Sequence, residues 1–134
     1  MTVAESAATT PSAVLIVDGD IISRNALADY LRHCDYSVVE AANVGEALTA
    51  LGEASLSIDV ILCDVPSIGS RDSFELSSWV RANRPELKVK LAGSMETAVH
   101  TAAELCEIGP SLEKPYDQAS VVDYIKRLRA SRKL

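Results

Sequence analysis

Apolar residues along this chain keep two rhythms, and the two alternate. Short unbroken runs, such as Val14-Leu15-Ile16-Val17 and Val60-Ile61-Leu62-Cys63, have the length and density of strands buried on both faces. Between them, apolar residues recur every three or four positions, the spacing of a helix with one inward stripe. Ala13 to Val17 therefore predicts a strand that Asp18-Gly19-Asp20 ends, and Asp20 can cap the helix that follows. On that helix Ile22, Ala26, Leu27, Tyr30, Leu31 and Cys34 share a stripe. Tyr36 to Glu40 predicts a short second strand, and Asn43 opens a helix carrying Val44, Ala47, Leu48 and Leu51 inward. Ile58 to Cys63 is the most apolar strand, placed centrally, and a loop is expected from Asp64 to about Asp72. The next helix carries Leu76, Trp79 and Val80 until Pro85 stops it. Leu87 to Leu91 predicts the fourth strand, with Ser94 capping a helix that puts Val99, Ala102, Ala103 and Cys106 on one face. A very short strand, Ser111 to Glu113, meets Lys114-Pro115, and Asp117 starts a last helix with Val121, Val122, Ile125 and Leu128 inward.

Five strands alternating with five helices predict a parallel sheet covered on both faces, because right-handed crossovers allow little else. The expected fold is a flavodoxin-like (βα)5 doubly wound α/β sheet with strand order 2-1-3-4-5. In such sheets ligands bind beyond the carboxyl ends of the strands, where the winding reverses. That geometry gathers Asp18, Asp20 and Asp64, which end the first and third apolar runs. With Ala92-Gly93-Ser94 and Lys114 at two further strand ends, the expected site suits a metal ion and a phosphoryl group.

Composition narrows the picture further. A chain of 134 residues, 48% hydrophobic, suits one domain; residues 13–130 are expected to form it, with mobile tails at 1–12 and 131–134. The first tail lacks the basic and apolar segments of a signal peptide, and no run approaches a membrane span. A net charge of −6 argues against a general attraction to nucleic acid. Cys34, Cys63 and Cys106 fall at core positions without metal-ligand spacing, and an odd number of buried thiols suits a reducing cytoplasm. Lys126, Arg127, Arg129, Arg132 and Lys133 crowd the end, where a solvated face that complements the helix dipole is expected.

Taken in order, Val14-Leu15-Ile16-Val17-Asp18, Ile61-Leu62-Cys63-Asp64-Val65 and Lys114-Pro115-Tyr116-Asp117 resemble the receiver domain of bacterial two-component response regulators. The resemblance runs from about Ala13 to Leu128, and Gly69 to Leu76 resembles the lengthened loop of some stand-alone receivers. It implies that Asp64 is the phosphoacceptor, fed by a sensor histidine kinase or a histidine phosphotransfer protein with bound magnesium. It also implies metal ligation by Asp18, Asp20, Asp64 and the carbonyl of Pro66, and phosphoryl contacts from Lys114 and the amides of Val65 and Gly93. Such a protein is a cytoplasmic phosphoacceptor and not an enzyme in its own right. With no output domain in the chain, it would act on an unidentified downstream protein or as a phosphate relay or sink, as a monomer or a weak homodimer.

Electrostatics supports the metal. Two like charges ~4 Å apart repel by roughly 4 kcal/mol at an effective dielectric of about 20, and a hard divalent cation removes that repulsion. Yet the chain departs from the family at several places. The second of two adjacent acids is Gly19 here, and Asp20, one residue on, serves either as a metal ligand or only as an N-cap. Where the family's switch hydroxyl and switch aromatic belong, this chain has Ala92 and Ser111, and Pro66-Ser67-Ile68 stands where a Met-Pro pair is common. A hydrogen bond to a charged acceptor is worth about 1.5–3 kcal/mol, so losing the hydroxyl should blunt the switch roughly tenfold or more. These departures keep open a pseudo-receiver that binds partners regardless of phosphate. A more remote alternative is a haloacid-dehalogenase-like phosphatase, whose Asp-x-Asp motif Asp18-Gly19-Asp20 imitates without the flap or the later acidic pair.

Overall fold

Strand β1 (Ala13–Val17) pairs in parallel on both sides, with β2 (Ser37–Ala41) and with β3 (Val60–Asp64). Strand β3 in turn carries β4 (Lys88–Ala92), so the sheet has the order β2-β1-β3-β4. These relations come from a computed structural model that describes residues 13–108 and 117–132. The expected fifth strand at 111–113 lies outside the described residues; the order of the other four is as the pattern predicted.

Period-two alternation splits the interior strands between two cores. Val14, Ile16, Val60 and Leu62 face α1 (Ile21–His33) and the helix of Met95–Ile108; Leu15, Val17, Ile61 and Cys63 face α2 (Val44–Leu51) and the helix of Ser70–Asn83. All five residues of β1 and of β3 are buried. Each fully buried Leu, Ile or Val contributes about 1.5–3 kcal/mol, so these two strands anchor the domain.

The segment after β3 differs from the expected loop. Val65–Ile68 forms a helical turn, α3, with Pro66 in its first turn, and α4 (Ser70–Asn83) begins two residues later. Gly69 separates the two at φ 97°, a left-handed conformation that other side chains resist, so α3 and α4 cannot fuse. Helix α5 (Met95–Ile108) follows β4, and α6 (Gln118–Arg132) closes the α1 face.

The predicted helix starts are where the sequence put them. Asp20, Asn43, Ser94 and Asp117 each accept a backbone N–H from the first turn of their helix. The cysteines require a correction. Cys34, just past α1, and Cys106, in the last turn of α5, form a disulfide that closes a span of 72 residues. Only Cys63 is a free buried thiol, so the cysteines do not mark a reducing compartment as the expected three unpaired thiols would. Among the described residues, no helix is long and apolar enough to cross a membrane.

Helix α6 runs antiparallel to α1. Near its start Ser120, Val121 and Tyr124 line a cavity with Tyr30 and His33 from the end of α1, while Arg129 returns to Asp20 and Ser23 at the beginning of α1. Val121 and Ile125 are its buried anchors, and Leu128 is only partly covered.

Candidate functional site

Asp18 follows directly on β1, and its amide donates to the Ala41 carbonyl at 3.0 Å, extending the ladder by one residue. The Arg24 guanidinium also grips the Asp18 carbonyl at 2.8 Å while pairing with Glu40 on β2. These backbone ties leave the Asp18 side chain fully buried at the sheet's carboxyl edge. Asp64 ends β3 beside it and is 6% exposed. Because β1 and β3 are neighbours, the two carboxylates meet at the place where the sheet's winding reverses.

Their surroundings do not satisfy them. Asp18 Oδ1 accepts the Asp20 amide at 2.8 Å, but Asp18 Oδ2 and Asp64 Oδ1 are buried without a hydrogen-bond partner among the described residues. Burial, reinforced by the charge of Asp18, pushes the Asp64 carboxyl up to about 6. Asp18 is also raised, chiefly by burial, with the bond from the Asp20 amide opposing. Buried, unpartnered acid oxygens are costly, and a shared cation is the ordinary way to neutralise them.

Asp20 behaves otherwise. It caps α1 by accepting the Ile22 amide at 3.4 Å and the Ser23 hydroxyl at 2.8 Å, and its Oδ2 accepts from Arg129 Nε at 2.7 Å. The reading of Arg129 as part of a solvated basic face is thereby corrected: it bonds across the fold to a site acid. Lys126, by contrast, stays on a solvated face, in an exposed pair with Glu96 at 3.7 Å. Among the described residues, no three acid, imidazole or thiol side chains close into a metal-binding group. Magnesium does not need one, since it is held by one or two carboxylates together with waters and phosphate oxygens. Asp18 and Asp64 fit that requirement, and the carbonyl of Pro66, the exposed residue of the helical turn beyond Asp64, is a third oxygen of the right kind.

Ser67 belongs to the site although no motif in the sequence marks it. Its hydroxyl donates to the Asp64 carbonyl at 3.0 Å and accepts the Gly19 amide at 2.9 Å, fastening the post-β3 turn to the post-β1 loop. A Cβ on Gly19 would lie 2.8 Å from the Ser67 carbonyl oxygen. The glycine that replaces the family's second acid is therefore where the two loops touch. Val65 is partly buried in the same turn, and Gly93 is exposed beyond β4. Ala92 is fully buried against the α5 core, so the missing hydroxyl's place is filled by packing. Lys114 and Ser111 lie outside the described residues.

A doubly wound parallel sheet with buried acids at its switch point defines a flavodoxin-like α/β domain with an acidic strand-end site. Within that class the particular family follows from the sequence: residues 14–126 match the response regulator receiver domain, and the protein belongs to that family. Among solved structures the chain is similar to the chemotaxis response regulator CheY4 of Vibrio cholerae, at 25% identity and a TM-score of 0.56, covering 89% of this chain and 99% of that one. A CheY-like receiver domain protein from Methanospirillum hungatei JF-1 shares the fold at 20% identity and a TM-score of 0.56, over 92% of this chain and 98% of that one. A curated relative, the two-component response regulator-like PRR37 of Oryza sativa subsp. indica, is 42% identical over 52 residues. That match covers 39% of this chain and 7% of the rice protein.

Proposed function

We propose that this receiver domain accepts a phosphoryl group on Asp64 from a histidine kinase or histidine phosphotransfer protein, and passes the signal on by contact with a further protein. The observation that carries the proposal is the buried Asp18–Asp64 pair with one unpartnered oxygen on each carboxylate. In the transfer, an Asp64 carboxylate oxygen forms a bond to phosphorus as the phosphorus–nitrogen bond of the donor phosphohistidine breaks. The electron pair of that bond returns to the imidazole. Magnesium, when bound, would neutralise the carboxylates and the developing charge on the phosphoryl oxygens. Asp18, Asp64 and the Pro66 carbonyl would hold it, with Asp20 available once its ion pair opens. The amides of Val65 and Gly93 and the Lys114 ammonium are assigned to the phosphoryl oxygens. Such a partnership belongs in the cytoplasm, and the cysteines of the disulfide, both fully buried, would be shielded there from thiol reductants.

A pseudo-receiver is the second reading, favoured by the contact between Gly19 and the Ser67 backbone and by the buried Ala92. Acetyl phosphate separates the two. With magnesium present, intact-mass spectrometry should show one added phosphoryl group, located on Asp64 by peptide mapping and absent in Asp64→Asn. No addition, at any donor concentration that labels a working receiver, would favour the pseudo-receiver; addition at Asp18 would revive a phosphatase-like nucleophile.

A further inference from the structure

Asp20 is the third acid of the strand-end site, and it is engaged by a cation that the chain itself supplies. Arg129 donates Nε to Asp20 Oδ2 at 2.7 Å and Nη2 to the Ser23 hydroxyl, reaching across 109 residues of sequence. The pair is partly open to solvent, with side-chain exposures of 31% for Arg129 and 15% for Asp20. The positive charge also acts on Asp18 and Asp64, favouring the ionised form of each. It does not satisfy them, since Asp18 Oδ2 and Asp64 Oδ1 remain unpartnered.

Helix α6 is fastened unevenly. Val121 and Ile125 bury its first half against α1 and α5. Beyond Ile125 the apolar contribution falls to the half-buried Leu128, and the polar grip of Arg129 on Asp20 and Ser23 holds this end at the site. Ion pairs of this exposure are weak and exchangeable, and a divalent cation is a stronger competitor for a carboxylate than a guanidinium.

We infer that Arg129 is a tethered counter-ion that competes with a divalent cation for Asp20, so that filling the site releases the C-terminal turns of α6. This rests on the assignment of the acidic site to magnesium proposed above and adds how its occupancy reaches a surface distant in sequence. Linkage makes the effect reciprocal: by whatever factor seated Arg129 weakens the metal, bound metal weakens the seating of Arg129. The loops around Asp64 need not move for the signal to leave the site, which suits a chain with Ala92 in the switch position.

Titration calorimetry with magnesium chloride at constant ionic strength provides the test, because it reads binding and not phosphorylation. Arg129→Gln should bind magnesium about tenfold more tightly than the parent, the gain expected when one nearby like charge is removed. Arg129→Lys keeps the charge while losing the planar fork and should stay within about threefold of the parent, which separates charge competition from altered helix packing. Amide hydrogen exchange over residues 126–132 should quicken when magnesium is added to the parent, and be fast with or without magnesium in Arg129→Gln. Circular dichroism confirms that each variant is folded. Unchanged affinity in Arg129→Gln, or exchange in the parent that ignores magnesium, would overturn the tether while leaving the metal site standing. Loss of affinity in Arg129→Gln would also overturn it, by making Arg129 a helper of the ligand. Magnesium binding that persists in Asp64→Asn would instead overturn the site assignment itself.

Discussion

Asp64→Asn is expected to stabilise the metal-free protein at neutral pH, by up to about 3 kcal/mol. In the unfolded chain this carboxyl ionises near 3.8; burial and the neighbouring Asp18 delay that to about 6 in the fold. Between those values the native state holds more protons than the unfolded state, so native stability falls as pH rises through the window. Asparagine removes the charge, and its amide can donate to the unpartnered Asp18 Oδ2. Urea denaturation in a chelator, followed by Trp79 fluorescence, should show the parent losing stability from pH 4 to 7 relative to the variant. Magnesium should reverse the order at neutral pH, stabilising the parent and leaving Asp64→Asn unmoved. Its affinity for the parent should climb as pH passes about 6, because the ionised carboxylate is the ligand. A variant less stable than the parent without metal would mean that the acid pair is already neutralised within the protein.

The second expectation concerns the glycine that stands where the family keeps an acid. Gly19→Asp, which looks like a repair, is expected to destabilise the fold by about 1–3 kcal/mol. The new Cβ would stand 2.8 Å from the Ser67 carbonyl oxygen, a backbone atom that cannot swing aside. Relief requires the helical turn after Asp64 to shift, which strains the Gly19 amide bond to Ser67 Oγ and the Ser67 bond to the Asp64 carbonyl. Gly19→Ala isolates the steric part and should cost nearly as much. Magnesium affinity of Gly19→Asp should not exceed that of the parent, since the turn that moves also carries the Pro66 carbonyl. Were Gly19→Asp as stable as the parent and a tighter magnesium binder, the loop contact would be pliable and this account of the glycine wrong.

How much of this was legible beforehand depends on the range of the cause. The strands β1 and β3 are readable because burial on both faces leaves an unbroken apolar run, a property of four or five adjacent residues. The caps at Asp20, Asn43, Ser94 and Asp117 were readable because a side chain reaches only two or three residues along its own helix. The meeting of Asp18 with Asp64 followed from those strands and the handedness of their crossovers. The turn at Val65–Ile68 is hidden in the sequence because Pro66 and Gly69 both resemble breaks and so predict a loop; proline is equally at home in a helix's first turn.

By itself, then, the sequence determined the alternation of strands and helices, the order of the four described strands, and the acids at the carboxyl ends of β1 and β3. Tertiary structure alone decided that Cys34 joins Cys106, that Ser67 packs over Gly19, and that Arg129 engages Asp20. The physical reason is the same in each case. Periodicity and capping are set by neighbours a few residues apart, whereas these three contacts join residues 72, 48 and 109 positions apart and exist only because helices pack in particular directions on the sheet.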